Sequence, residues 1–274
     1  MYMPECRNNK DTIVLAVTSG KGGVGKTNIT ANLAVCIAAQ NQRVTVLDAD
    51  LGLGNLDVLM NIQPRYNLGH VISGQRTLEQ ITHIGPNGIE IICGGSGIET
   101  LANLNSFQRQ RLIDQMESLH NRADVILIDT GAGIHSAVIG FCMAADHTLV
   151  VTTPEPTAMT DAYAMIKVLS SKQYPGRISL LVNMACSRVE GKKVYRQIAD
   201  VAARFLGIAV YEAGILCRDE NLLTAVRQRE PVVQAFPKAD ISRSFEAISQ
   251  RLTQGTNKNI IKDGFFRKVA NWFF

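Results

Sequence analysis

One octet restricts the fold of this chain more than any other stretch: Gly20-Lys21-Gly22-Gly23-Val24-Gly25-Lys26-Thr27. It fits G-x-x-x-x-G-K-[ST], a glycine-rich loop that joins a strand to a helix around a phosphate group. The glycines let backbone N–H groups converge on phosphate oxygens with no Cβ in the way. A helix starting near Thr27 turns its positive end toward the same anion. Lys26 brings a charge to the β- and γ-phosphates, and Thr27 offers a hydroxyl to Mg²⁺. Asn28 lies in the same turn and is counted with the loop as nucleotide-binding. The ligands expected are therefore a nucleotide and Mg²⁺; adenine, and so ATP or ADP, follows from Asn183 below.

Such a loop needs a buried strand before it and a helix after it, and the rest of the chain repeats that alternation. Unbroken apolar runs at 12–18, 43–48, 89–93, 124–129, 147–152, 178–183 and 210–215 read as strands buried on both faces. Helical patterns fall at 27–40, 106–121, 134–145, 156–171, 189–206, 221–228 and 242–254. The order strand–helix–strand predicts an α/β fold, a doubly wound and mostly parallel sheet with helices on both faces. Residues 64–88 read as loop with short helical pieces. The clear linker is 255–257, so residues 1–254 are expected to form one nucleotide-binding domain and 255–274 a linker and C-terminal helix.

Carboxylates at strand ends lie on the ligand side of such a sheet. The strand ending at Leu47 runs into Asp48-Ala49-Asp50, and Asp57 follows seven residues after Asp50. Asp50 is placed to orient the attacking water and to help hold the metal; Asp48 and Asp57 serve either the site or a local turn. The strand 125–128 ends at Asp129, an apolar strand followed by a carboxylate that holds Mg²⁺ through a water. Thr130-Gly131-Ala132-Gly133 then brings a backbone N–H to the γ-phosphate. Asn183 ends another strand without the N-K-x-D of a guanine pocket, which favours adenine. The loop Leu216-Cys217-Arg218-Asp219 forms a second wall, with Arg218 and Asp219 as its polar contacts.

An ordinary phosphate loop needs no lysine at position 21. The form K-G-G-x-G-K-T resembles the deviant Walker A family, which includes MinD, ParA and the nitrogenase iron protein. The resemblance makes Lys21 a lysine that reaches the partner subunit's nucleotide across an ATP-bridged homodimer. Residues 48–57 are similar to the family's first switch, with Asp50 at the catalytic aspartate and Asn55 at a switch asparagine. Residues 130–133 resemble the second switch. Four further blocks, 155–163, 183–185, 190–191 and 235–237, look like the FlhG/FleN (YlxH) branch of the MinD family, over roughly residues 12–254. That branch implies a P-loop ATPase of the SIMIBI type that limits flagellar number and placement. In some members it antagonises a flagellar transcription activator or stimulates the GTPase FlhF. Glu155, Thr157 and Asp161 would line the dimer interface; they read equally as helix-cap residues after Pro156. Two departures stand out. MinD has a proline where this chain has Leu216-Cys217. The eleven residues before the first strand do not match the D-Q-A-x-x-L-R element of many FlhG proteins, so stimulation of FlhF is not expected from them.

The last twenty residues carry Lys258, Lys262, Arg267 and Lys268 against Asp263, while the other 254 balance 24 basic and 23 acidic side chains. Five of the 16 aromatics, including the single Trp, fall in the last ten. At the ~100° per residue of an α-helix, Ile261, Trp272, Phe265, Val269, Phe273 and Phe266 share one arc of about 140°, interrupted by Lys262. Aromatics on one face with flanking cations describe a helix lying in a membrane interface, here an anionic surface met by residues 258–274. The alternative is a helix that docks its apolar face on the body; the two combine in a tail docked without ATP and released in the dimer.

Composition narrows the rest. No apolar run reaches the ~18 residues of a spanning helix. The polar residues 1–11 lack the apolar core of a secretory signal. Six cysteines without a C-x-x-C pair read as reduced thiols, so the expected place is the cytoplasm, with reversible attachment to the inner face of the membrane. A DNA-partitioning ATPase of ParA type needs a basic stripe; Arg188, Lys192, Lys193 and Arg196 cluster, but the body is near neutral, and direct nucleic-acid binding is not expected. A MinD-like regulator of the division site is a further alternative. An iron–sulfur enzyme is disfavoured, since no cysteine lies in 131–136 and no C-P-x-C occurs.

Overall fold

The computed structural model describes residues 12–50, 55–95, 107–108, 115, 122–254, 268–269 and 272. The predicted helix 106–121 apart from Phe107, Gln108 and Gln115, the switch stretch 51–54, and the tail apart from Lys268, Val269 and Trp272 lie outside those residues.

In chain order the elements are β1 (Ile13–Ser19), α1 (Lys26–Ala38), β2 (Val44–Ala49), α2 (Leu56–Leu59), α3 (Leu68–Ile72), α4 (Leu78–Ile81), β3 (Thr82–Ile84), β4 (Glu90–Cys93) and β5 (Val125–Ala132). Then come α5 (Ser136–Ala144), β6 (His147–Thr152), α6 (Pro156–Ser171), β7 (Arg177–Ala185), α7 (Arg188–Leu206), β8 (Tyr211–Cys217), α8 (Glu220–Gln228), α9 (Val232–Ala235) and α10 (Asp240–Gln254). The eight strands form one sheet in the order β3-β4-β2-β5-β1-β6-β7-β8. Seven run parallel; β3 pairs antiparallel with β4 at the edge. It is three residues long, and its Ile84 is exposed, so little edge is left to recruit another strand. Thr82-His83-Ile84 has neither alternation nor an apolar run, which is why sequence reading leaves it as loop.

The central strands are buried on both faces because helices cover both. Val14 and Ala16 of β1 belong to one core, Leu15 and Val17 to the other. Alternate residues of a strand point to opposite faces, so a continuous apolar run is what this position demands. On one face α1 is sandwiched between sheet and α10, and is buried nearly all round. Helix α10 turns Ile241, Phe245, Ile248 and Leu252 inward at helical spacing. On the other face lie α5, α6 and α7. Helix α7 buries Gly191, Val194, Ile198 and Ala202, starts at a Ser187 cap that accepts from Glu190 N, and stops at Gly207 with φ 68°. At Gly191 a Cβ would collide with Ile215 of β8, so this helix seats closely on the sheet.

His147 opens β6 as a buried imidazole whose Nε2 hydrogen bonds with Ser179 Oγ at 2.8 Å. Burial, helped by the charge of Arg177, pushes its pKa down to about 3, so it stays neutral. Among the described residues no helix is long and apolar enough to cross a membrane.

Candidate nucleotide site

The phosphate loop leaves the C-terminal end of β1, between β5 and β6. Connections from β1 run to one side of the sheet and those from β5 to the other, which opens a crevice there. Backbone contacts hold the loop. At Gly20 a Cβ would strike the carbonyl oxygen of Asp161 in α6. Gly25 precedes α1 with φ 92°, and its Cβ would lie 2.6 Å from Asn183 Nδ2. That same Nδ2 donates to Val24 O at 2.8 Å. Ser19 Oγ donates to Lys21 O at 2.7 Å, and Gly133 N donates to Ser19 O at 2.9 Å, tying the 130–133 loop to the phosphate loop.

Beneath this cradle lie buried charges. Lys26 is almost fully buried, which lowers its pKa against the opposing pull of Asp129 and Asp50. Asp129 is buried and hydrogen-bonded by Thr27 and by Thr30 Oγ1 at 3.2 Å. Desolvation nonetheless raises it to about 6. Asp48 stands opposite Asp129 across the β2–β5 pair and is raised to about 7 by burial and by Asp129. Its Oδ1 accepts from Asp50 N at 3.1 Å. The Asp50 carboxylate reaches across to the 130–133 loop: a Cβ at Gly131 would be 3.4 Å from its Oδ1. Buried carboxylates that resist ionisation this strongly suit a divalent cation, which would offset both the desolvation and the mutual repulsion. With the glycine cradle above, the residues fit a nucleotide phosphate and Mg²⁺, for which Thr27, Asp50 and Asp129 would be the holders.

Asp48 is the residue sequence reasoning undervalued. The D-x-D spacing was visible; the register that sets Asp48 against Asp129 was not. Met184 was passed over altogether. It has φ 58°, is partly exposed, and its Cε lies 3.8 Å from where a Gly25 Cβ would be. A non-glycine residue held there marks a constrained turn beside the loop.

The remaining candidates spread around this centre. Asn28 is in the first turn of α1, with a buried Oδ1 that has no partner among the described residues. Asn55 is exposed at the start of α2. Arg218 donates from its backbone N to Ala185 O at 2.9 Å and from Nε to Met184 O at 3.2 Å, clasping the Asn183 loop. Asp219 caps α8 by accepting from Asn221 N at 2.8 Å. Lys21 turns away from the buried cluster. Its Nζ meets Glu155 Oε2 at 2.6 Å and Thr157 Oγ1 at 3.0 Å, at the start of α6. Its hydrogen bond and charge hold Glu155 below the usual carboxylate range. The pair is exposed to solvent, so it adds little stability and exchanges easily.

Two of the described tail residues, Val269 and Trp272, pack against the body on the face that carries α5. Helix α5 follows the 130–133 loop, and Trp272 packs its ring on Gly140 of this helix, so closely that a Cβ there would collide. Trp272 Nε1 donates to Ser136 O at 2.9 Å, and Lys172 Nζ lies 4.9 Å from the ring centroid. Val269 is buried in the same core. Both residues belong to the apolar arc of the tail, and both face the body.

Comparison with known proteins places this geometry. A family model described as ParA, NUBPL iron-transfer P-loop NTPase, matches residues 10–253. The antiactivator FleN of Pseudomonas aeruginosa is 40% identical over 87% of this chain and 85% of its own. The flagellum site-determining protein YlxH of Helicobacter pylori is 35% identical over 97% of this chain and 92% of its own. The septum site-determining protein MinD of Pyrococcus horikoshii, solved with Mg-ADP, shares the fold with a TM-score of 0.74 at 23% identity, over 91% of this chain and 100% of its own. A deviant phosphate loop on a mostly parallel sheet, matched over nearly its whole length, makes this chain a member of the ParA/MinD family of P-loop NTPases, in the branch that holds FleN and YlxH.

Proposed function

We propose that this protein is a switch ATPase: ATP bridges two copies into a dimer, the dimer presents an output surface, and hydrolysis resets it. The observation that carries the reading is Lys21, which extends from the phosphate loop to Glu155 and Thr157 instead of to the buried cluster of its own subunit. A weak, exposed contact of this kind is easily given up for a phosphate of a facing copy.

Within each subunit, Lys26 and the loop amides bind and orient the β- and γ-phosphates. Mg²⁺, when bound, neutralises charge on those oxygens. Asp50 orients a water in line with the γ-phosphorus and takes up its proton as the bond to the β-phosphate oxygen breaks. Lys21 from the facing copy stabilises the charge that develops on the transferred group. Asn183, Met184, Arg218 and Asp219 would line the adenine pocket.

The docked tail supports a gated output. Trp272 rests on α5, directly after the 130–133 loop, so a shift of that loop on ATP binding would move its seat. Release exposes the aromatic face to an anionic membrane, and two tails per dimer add avidity. The protein would thus be cytoplasmic and reversibly membrane-bound. The relatives named antiactivator FleN and flagellum site-determining protein YlxH support a role in flagellar number and placement; a flagellar transcription activator, flagellar assembly proteins and the GTPase FlhF are the partners that the branch implies. Turnover per subunit should rise with protein concentration, and Lys21→Gln should lower it at least about tenfold while leaving nucleotide affinity intact. Equal turnover in the two proteins at every concentration would refute the reading.

A further inference from the structure

Helix α7 carries a charged surface that the switch does not use. Its outer side forms an open depression lined by Val189, Lys192, Lys193, Arg196, Gln197 and Asp200, and Arg204 continues the stripe. Four cations against Asp200 contrast with a body whose charges nearly cancel. Among the described residues none of these four cations makes an ion pair. Val189 stands 80% exposed at the end of the stripe, an apolar side chain with nothing described against it.

Position gives this surface a partner. Helices α5, α6 and α7 lie side by side on one face of the sheet, and Val269 and Trp272 of the tail join the core of that same face. A tail released there leaves on the side to which α7 turns its cations. At physiological salt such charges act only within ~8–10 Å. They are therefore of use once a tether has brought the face against a surface.

We infer that the outer face of α7 is a second membrane contact, an electrostatic platform for anionic phospholipid headgroups that acts after the tail has inserted. The inference rests on the membrane reading of the tail. It adds cations to those of the tail, and with them lipid-charge selectivity beyond what the tail supplies.

The test is co-sedimentation of the full chain, with ADP and with ATP, on vesicles of phosphatidylcholine alone and of mixed phosphatidylcholine–phosphatidylglycerol, at low and high salt, beside a titration with duplex DNA. The triple variant Lys192→Gln/Lys193→Gln/Arg196→Gln is compared with the parent, with ATP turnover as the control for folding. At roughly fivefold per cation near a charged surface, the variant should bind the mixed vesicles about a hundredfold more weakly at low salt. Its binding to neutral vesicles and its turnover should not change, and its salt dependence should flatten. Equal binding of parent and variant to mixed vesicles overturns the platform while leaving the tail intact. A variant that binds lipid normally but loses duplex DNA overturns it in favour of nucleic acid. If the parent binds equally in ADP and ATP yet the variant still loses anionic selectivity, the platform stands and the gating of the tail falls.

Discussion

At the scale of single residues the site is an arrangement of close approaches. Gly25 combines φ 92° with a 2.6 Å approach to Asn183 Nδ2, so Gly25→Ala meets both backbone strain and a collision. The expected cost is about 1–3 kcal/mol of stability, read from the urea midpoint, with a parallel loss of nucleotide affinity. An unchanged midpoint would show that the loop relaxes elsewhere. Most of this centre was legible in the sequence because it is local: eight consecutive residues encode the cradle, and Asp129 ends an apolar run. What was not legible depends on contacts across long chain separations. Asp48 becomes a member of the buried cluster only through the register of β2 on β5. The contact of Lys21 with Glu155, 134 residues away, has no local signal. Family resemblance alone pointed to the lysine, as one that reaches a partner subunit's nucleotide; its contacts with Glu155 and Thr157 lie within one subunit.

Elements reproduce the same division. Strands buried on both faces were readable as apolar runs, and helices with one buried stripe as periodic ones. The short antiparallel β3 was not, since three residues carry no period. Nor did sequence distinguish a membrane-seeking tail from a docked one, because both need the same apolar arc; at Val269 and Trp272 that arc faces the body. His147 shows how packing of β6 on β7 makes a pH dependence. Its pKa is depressed from 6.5 to about 3, so its folded form resists the proton that the unfolded chain accepts. Its contribution is therefore complete above about pH 6.5 and is lost as pH falls toward about 3, with a slope of up to about 1.4 kcal/mol per pH unit. Urea unfolding of His147→Gln should show a flatter decline over that window than the parent. Identical pH profiles would assign the acid sensitivity to other groups.

For the whole molecule, the two faces of the sheet have different tasks. One packs α1 against α10 and fixes the phosphate loop. The other carries α5, the docked Trp272 and the cationic side of α7. In the proposed switch the strand ends between them would hold the nucleotide, and a change there would reach the face of α5 through the 130–133 loop. The account depends on one event above all, the joining of two copies through ATP and Lys21. The direct measurement is the solution mass of Asp50→Ala, expected to bind ATP without hydrolysing it, with Mg-ADP and with Mg-ATP, beside the double variant Asp50→Ala/Lys21→Gln. The account predicts a monomer in ADP, a dimer in ATP, and a monomer in both for the double variant. A single mass for all four samples would contradict it.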